Sequence, residues 1–301
     1  MDVRQLEYVV AVAEEGSFTR AARRCHVAQS ALSHQVARLE AELGTKLFER
    51  TSRSVRISEA GRTLLPHAVH VLRDMADARA ALDGLAGIIR GRLRIGMTQT
   101  ASRTLDLIAV IGEVHRRHPE VALATATGPG DELIHAVREG QLDIALAGLT
   151  AGGPPPEITF SPLVDPEPLV AVVPLSHPLA RRSRVGLSEL AGGGFVEFRS
   201  GDTLLELVDT AFAEAGIERV VNFEVGQIAD MVQYVGNGLG IAIVPRAFTR
   251  PGPAGAAPGA LVHVLQLVDP ALRLTIGAYR RAGRDGAITN AFLDLVTHGI
   301  D

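Results

Sequence analysis

A group of hydrogen-bonding side chains recurs near the start of the chain at a spacing that places them on one face of a helix. The group consists of Gln29, Ser30, Ser33, His34 and Arg38. None of these side chains is acidic. Amide, imidazole and guanidinium groups match the base edges that line the DNA major groove, and they also suit phosphate. The pattern therefore predicts a helix that contacts double-stranded DNA.

A second group of such side chains follows that helix. Two short extended runs at 46–50 and 54–57 flank a turn and predict a two-stranded wing, which would suit the DNA backbone or the minor groove. The predicted wing contacts are Arg50, Thr51, Ser52 and Arg53. Ser17 and Thr19, at the start of the second predicted helix, complete the set of DNA contacts. A solvated polar face on an ordinary three-helix domain is the alternative, but it does not account for the wing and the short turn.

Three helices must position this surface. Apolar spacing predicts helices over 3–15, 18–25 and 29–42, with Ser17 as the N-cap of the second and a tight turn before the third. This arrangement is typical of a helix-turn-helix. The buried face of the third helix is predicted to consist of Ala31, Leu32, Val36, Leu39 and Leu43.

Composition limits the other function classes. The 301 residues carry a formal net charge of −4, but residues 1–60 alone carry +1 and cluster bases at Arg20, Arg23 and Arg24. No signal peptide or membrane span is evident, so a cytoplasmic location is expected. The single lysine, Lys46, lies outside any phosphate-loop pattern, and no hydrolase or metalloprotease motif occurs. No catalytic residue, metal or cofactor is predicted, and the single cysteine, Cys25, cannot form a disulfide within the chain.

A long connecting helix is predicted over about 59–88, with Pro66 as a candidate kink. Its apolar stripe comprises Leu64, Leu65, Ala68, Val71, Leu72, Met75, Leu82 and Leu85. Such a stripe needs a covering surface. The same helix of a second copy would provide one and form a homodimer, and the chain's own domains are the alternative.

Residues 91–301 show an α/β rhythm. Strands at 93–97, 121–125 and 143–147 alternate with helices at 103–118 and 131–139, which predicts a parallel sheet. A second α/β set follows, so two lobes and an intervening cleft are expected. Ligands in such folds lie where strands end and helices begin, and hydroxyls and helix N-termini there suit a carboxylate or phosphate. The candidate effector contacts are Thr98, Gln99, Thr100, Ser102, Gly130, Arg199, Ser200, Thr203 and Gln227. Simple helix capping is the alternative, and it is preferred for Asp131 and Asp202.

Five segments together resemble the LysR-type transcriptional regulators: LEYV (6–9), GSFTRAA (16–22), QSALS (29–33), LEAELG (39–44) and LFER (47–50). The sequence departs from the family pattern at Ala28, where serine is frequent, and at His34, where arginine or lysine is common. The first departure weakens a helix N-cap, and the second changes a base or phosphate contact.

The resemblance implies a winged helix-turn-helix domain (1–58), a linker and dimerisation helix (59–88) and an effector-binding domain (91–301) that looks like a periplasmic binding protein. Its first lobe would span about 91–162 and 267–301, and its second about 163–266. Effector contacts are expected after the first strand, at Thr98 and Thr100. The implied partners are promoter DNA, a small and anionic effector, and further copies in a homodimer or homotetramer. RNA polymerase stays open as a partner.

Two other functions stay open from the residues alone. An enzyme or transport-type binding protein could carry a DNA-binding segment for another reason, although Asp143, Glu197 and the histidines are too scattered to form a catalytic site. An architectural DNA-binding protein would need no ligand. The leading hypothesis is a transcription regulator whose DNA binding responds to an effector.

Overall fold

A computed structural model describes residues 1–50, 55–85, 90–198, 203–250, 261–283 and 286–299. The chain divides into two compact units, Met1–Gly91 and Arg92–Asp301. Within the ranges described, no helix has both the length and the apolar character needed to cross a membrane.

The described part of the first unit contains four helices and a two-stranded antiparallel sheet. Its elements are α1 (Val3–Glu15), α2 (Phe18–Arg24), α3 (Gln29–Leu43), β1 (Phe48–Arg50), β2 (Val55–Ile57) and α4 (Glu59–Leu85). Side chains cap the N-termini of the first two helices. Asp2 and Gln5 form a capping box on α1, and the Ser17 hydroxyl accepts a hydrogen bond from the Arg20 N–H at the start of α2. These bonds satisfy N–H groups that have no partner within the helix.

The core of this unit lies between the first three helices and the wing. Val9, Val12, Leu32, Val36 and Leu39 are fully buried in it. The predicted buried face of α3 is wrong at its two ends. Ala31 and Leu43 are exposed, and Glu40 is buried instead.

The turn between α2 and α3 is built from backbone hydrogen bonds. The Val27 N–H donates to the Ala22 carbonyl, and the His26 N–H donates to the Arg23 carbonyl. His26 adopts a left-handed conformation, with φ of 54°. This pattern is a Schellman motif, in which a single left-handed residue ends the helix and turns the chain sharply. It brings α3 close to α2, as a helix-turn-helix requires.

The linker helix α4 begins at a side-chain cap and continues through Pro66. The Ser58 hydroxyl accepts a hydrogen bond from the Gly61 N–H. The helix packs on α1, and Ala68 is buried there. Val71, Met75 and Leu82 are exposed, with Leu82 at 67%. The predicted apolar stripe therefore has a covered part and an open part.

The second unit alternates strands and helices. Its strands are β3 (Gly91–Met97), β4 (Val121–Thr127), β5 (Ile144–Gly148), β6 (Ile158–Pro162), β7 (Glu167–Pro174), β8 (Arg184–Val185), β9 (Gly194–Phe198), β10 (Val220–Val225), β11 (Ala242–Pro245), β12 (Val262–Leu267), β13 (Arg273–Leu274) and β14 (Ile276–Arg281). Its α-helices are α5 (Gln99–Thr104), α6 (Leu107–Arg117), α7 (Gly130–Arg138), α8 (Leu187–Leu190), α9 (Thr203–Glu214), α10 (Ile228–Gly236) and α11 (Ala287–His298). Short 3-10 helices span Pro178–Arg181 and Arg246–Thr249.

The strands form two groups. The first sheet has the order β4-β3-β5-β14-β6, and we call the part of the chain built on it the first lobe. The remaining strands form the second lobe, with the order β11-β7-β12-β8, a further pairing of β13 with β7, and a separate β10-β9 pair. The chain thus leaves the first lobe after β6 and returns to it with β14.

The alternating rhythm predicts a parallel sheet, and this prediction is wrong for part of the first sheet. β3 and β5 are parallel, but β14 runs antiparallel to both β5 and β6. The predicted helix at 103–118 is also two helices, because Asp106 adopts a left-handed conformation between α5 and α6. The break leaves α5 as a short separate helix directly after β3.

Candidate DNA-binding surface and effector site

The predicted recognition face lies on α3, and most of it is open to solvent. Gln29, Ser30, His34 and Arg38 are exposed, and Ser33 is half-buried. Four-residue spacing aligns Ser30, His34 and Arg38 along the helix axis. The buried residues of α3 lie on the opposite side, against α1 and α2.

The N-terminus of α3 adds backbone donors to this face. Its N-cap is Ala28, and no side chain caps the helix. The N–H groups of the first turn therefore lack the side-chain acceptor that serine would provide. Such a helix end attracts anions, including phosphate.

The basic cluster on α2 is partly neutralised by neighbouring acids. Arg24 Nη1 lies 2.5 Å from Glu14 Oε2, and Arg20 Nε lies 3.4 Å from Glu15 Oε2. The bond to Glu14 raises the pKa of Arg24. These pairs offset part of the charge that the sequence suggests for phosphate contact.

The wing is fastened to α3 by Glu40, a residue that sequence reasoning missed. Its side chain is 2% exposed, and Oε1 accepts hydrogen bonds from the Leu47 N–H at 2.9 Å and the Phe48 N–H at 3.2 Å. Lys46 Nζ lies 3.2 Å from Oε2. One sequence signal could have identified Glu40: it is an acidic residue directly after Leu39, on an otherwise apolar face of α3. Of the predicted wing contacts, Arg50 ends β1, and Thr51, Ser52 and Arg53 lie outside the described residues.

Three of the predicted effector residues come together where the lobes meet. A Cβ placed on Gly130, at the start of α7, would lie 3.8 Å from both Thr98 Cγ2 and Thr203 Oγ1. Thr98 follows β3 in the first lobe, and Thr203 begins α9 in the second. Thr98 is buried, and its hydroxyl caps α5 by accepting a hydrogen bond from the Ala101 N–H at 3.2 Å.

Thr100 supplies a buried polar group two residues after Thr98. It lies in the first turn of α5 and is 1% exposed, and its hydroxyl has no hydrogen-bond partner among the residues that the structure describes. A buried hydroxyl without a partner is costly unless a water or ligand satisfies it.

The other predicted effector residues are less closely grouped. Ser102 is half-buried, Gln227 is the exposed N-cap of α10, and Arg199 and Ser200 lie outside the described ranges. The Gln99 side chain hydrogen-bonds to the backbone of the second lobe. The prediction that Asp131 caps α7 is wrong, because that helix begins at Gly130 with Pro129 as its N-cap. Asp202 falls outside the part of the chain described.

The wall of the junction also depends on Gly148, a residue that the sequence alone did not single out. A Cβ at Gly148 would lie 2.9 Å from Leu274 Cδ1 and 3.1 Å from Thr203 Cβ. The Gly148 carbonyl accepts a hydrogen bond from the Tyr279 hydroxyl at 3.0 Å, and that hydroxyl accepts one from the Thr150 N–H. Burial raises the pKa of Tyr279, so the hydroxyl stays protonated and able to donate.

A helix-turn-helix unit followed by a two-lobed α/β unit defines the class of transcription regulators that bind both DNA and a small molecule. The family model described as bacterial regulatory helix-turn-helix protein, lysR family, matches residues 3–62, and the LysR substrate binding domain matches residues 86–300. The chain belongs to the LysR family. It is a DNA-binding transcription regulator with an effector-binding domain.

Individual relatives agree with this assignment. The transcriptional regulator ShiR of Corynebacterium glutamicum is 36% identical over 300 residues, which are 98% of each chain. A hydrogen peroxide-inducible genes activator of Pectobacterium carotovorum is 33% identical over 245 residues, 81% of this chain and 80% of that protein. A solved full-length OxyR variant from Pseudomonas aeruginosa has a TM-score of 0.74 at 25% identity and covers 99% of this chain and 95% of its own. These curated relatives regulate transcription and are not enzymes.

Proposed function

We propose that this regulator senses a small anionic effector at the junction of its two lobes and contacts promoter DNA through α3 and the wing. Thr98, Thr100, Gly130 and Thr203 would bind the effector. The single observation that carries the proposal is the Thr100 hydroxyl, which is buried two residues after Thr98 and has no hydrogen-bond partner among the described residues.

Three helix starts support an anionic ligand. α5, α7 and α9 begin at or next to Thr98, Gly130 and Thr203, and α7 has no side-chain cap. Uncapped N–H groups and threonine hydroxyls donate hydrogen bonds to a carboxylate or phosphate. The close approach of the three sites favours a small ligand, since a larger one would have to part the lobes.

The DNA contacts follow from the α3 face. Gln29, Ser30, Ser33, His34 and Arg38 would reach base edges and phosphates, with the open N-terminus of α3 on a phosphate. Ser17 and Thr19 would contribute from α2, where Ser17 also caps the helix. In the wing, Arg50, Thr51, Ser52 and Arg53 would contact the DNA backbone or the minor groove.

The effector proposal predicts that Thr100→Val weakens effector binding by about tenfold or more, because it removes a hydrogen bond to a charged ligand while keeping the side-chain shape. The measurement is the melting temperature of the full chain against sulfate, phosphate, acetate, succinate and benzoate, with acetamide and benzamide as neutral counterparts. We expect at least one of the anions to stabilise the protein and Thr100→Val to shift its dose response to higher concentration.

The matched control is Thr289→Val, which changes a buried threonine on α11. It should leave the dose response unchanged. Stabilisation by the neutral compounds alone would contradict an anionic effector. An equal response in Thr100→Val and the unmodified protein would remove Thr100 from the site.

Thiol oxidation does not suit this chain as a sensing chemistry, although one relative is named for hydrogen peroxide. The only cysteine is Cys25, at the end of α2 in the DNA-binding unit. Burial raises the pKa of its thiol. Because the thiolate is the reactive form, a raised pKa lowers reactivity toward oxidants. We infer that the effector acts by binding.

We further propose that α4 pairs with α4 of a second copy to form a homodimer, or pairs of dimers in a homotetramer. Val71, Met75 and Leu82 recur at spacings of four and seven along α4 and are exposed. This is the spacing of a seam between two helices. A dimer would present two recognition helices to the two halves of a promoter site.

Met75→Glu should shift the full chain toward the monomer, because it places a charge within the seam. Sedimentation velocity measures the distribution of species. Thr63→Glu, at an exposed polar position of the same helix, is the control and should leave the assembly unchanged. An unchanged dimer in Met75→Glu would place the interface elsewhere.

A further inference from the structure

The side chain of Gln99 bonds the first lobe to the second. Gln99 Nε2 donates a hydrogen bond to the Gly226 carbonyl at 3.1 Å, and Gln99 Oε1 accepts one from the Ile228 N–H at 3.1 Å. Gln99 begins α5 in the first lobe, and Gly226 and Ile228 lie on either side of the N-cap of α10 in the second lobe. The side-chain amide thus pairs with main chain through both of its polar ends.

Arg103 makes a second connection from the same helix. Its Nε donates to the Ala247 carbonyl at 3.2 Å, and Nη2 donates to the Arg250 carbonyl at 2.7 Å. Both acceptors belong to the second lobe, at the 3-10 helix Arg246–Thr249 and its end. Residues four apart lie on one helix face, so one side of α5 reaches the second lobe at two points.

α5 is itself anchored in the first lobe. The Thr98 N–H donates to the Leu146 carbonyl in β5 at 3.0 Å, and the Thr98 hydroxyl caps the helix. A helix fixed to one lobe and bonded to the other resists separation of the two. The four bonds from Gln99 and Arg103 would all break if the lobes moved apart.

The Gln99 side chain also provides a hydrogen-bond acceptor for a backbone N–H at the start of α10. Gln227 forms no side-chain cap on α10, and Ile228 is the first residue of that helix. Its N–H has no intrahelical partner by position. Gln99 Oε1 fills this position only while the lobes stay close.

We propose that Gln99 and Arg103 are a latch that holds the two lobes closed, with the amide of Gln99 setting how readily they part. The regulatory meaning of the latch rests on the proposed function, because Thr98 and Thr100 flank Gln99 in sequence. Lobe separation would then draw the candidate effector residues apart. The latch itself does not depend on which ligand binds.

Amide hydrogen exchange on the full chain without any added ligand tests the latch. Gln99→Ala should raise the exchange rate of the Ile228 amide by about tenfold, because it removes two interlobe hydrogen bonds. Gln99→Glu keeps an acceptor for Ile228 but has no donor for the Gly226 carbonyl, so its effect should be smaller. Gln233→Ala is the matched control, since it removes an exposed glutamine from α10 itself.

The outcomes separate a latch from a general loss of stability. Faster exchange at Ile228 in Arg103→Ala as well as in Gln99→Ala, with unchanged exchange in the core strands β7 and β12, supports the latch, because Arg103→Ala leaves the acceptor of the Ile228 N–H in place. An unchanged Ile228 amide in Gln99→Ala overturns it, and so does equal acceleration across the whole second lobe. Failure of every anion in the melting screen would count against the proposed effector class but not the latch.

Discussion

Replacing Arg38 with glutamate should weaken binding of the full chain to its own promoter DNA by more than about 100-fold at roughly 100 mM salt. Arg38 is exposed on the face of α3 that carries the other predicted DNA contacts. The substitution removes a donor that suits guanine or phosphate. It also places a carboxylate against the DNA phosphates, so the loss of attraction and the new repulsion act together.

Fluorescence anisotropy with a labelled promoter fragment measures this effect, and a scrambled fragment reports the non-specific part. Arg184→Glu is the control, because it makes the same charge change at an exposed position of the other unit. Equal affinities for Arg38→Glu and Arg184→Glu would show that α3 does not enter the DNA groove.

On the same face of α3, His34→Arg adds a cation. It should tighten DNA binding and make the affinity depend more steeply on salt.

Glu40→Ala should lower the free energy of unfolding of the first unit by about 2–4 kcal/mol. Its carboxylate holds the Leu47 and Phe48 N–H groups in a buried position. Alanine would leave both donors without an acceptor. Because these donors begin the wing, the loss should also reduce DNA affinity at temperatures where the protein is still folded.

Chemical denaturation followed by circular dichroism measures the change in the free energy of unfolding. Two further variants serve as comparisons. Glu40→Gln keeps an oxygen acceptor of the same shape and should retain most of the stability. Glu42→Ala removes an exposed carboxylate from the same helix and should change stability by less than about 1 kcal/mol. A Glu40→Ala protein as stable as Glu42→Ala would mean that the buried contacts do not hold the wing.

The DNA-binding unit was largely predictable from sequence because its signals are local. Caps, apolar spacing and Gly44 define three helices whose starts match those observed. The predicted buried face of α3 is wrong at residues whose position on the helix does not match their polarity. Ala31 lies about 100° around the helix from Leu32, so it faces solvent although it is apolar. Glu40 is buried because its partners Leu47 and Phe48 approach from the wing, which periodicity cannot show.

The second unit was predicted less completely, because its strand pairings join parts of the chain that are far apart in sequence. β14 pairs with β5 across more than 120 residues, and no local pattern indicates that it runs antiparallel. β6, β8 and β12 lie where the sequence analysis predicted no strand. Family resemblance, and not the α/β rhythm, suggested that the end of the chain returns to the first lobe.

The candidate effector site shows the same limit. The ends of strands and the starts of helices could be located, which gave Thr98, Gly130 and Thr203 as candidates. The roles of Gly148 and Gln99 could not be inferred, because each depends on the second lobe: Gly148 leaves room for Thr203, and Gln99 bonds to main chain 127 and 129 residues away.

The most direct test of the central claim is the affinity of the full chain for its own promoter DNA, measured across a salt series with and without an anion that raises its melting temperature. We expect sequence-specific binding that weakens steeply with salt and an affinity or footprint that changes when the anion is added. Equal binding to promoter and scrambled DNA, or a stabilising anion that leaves DNA binding unchanged, would contradict it.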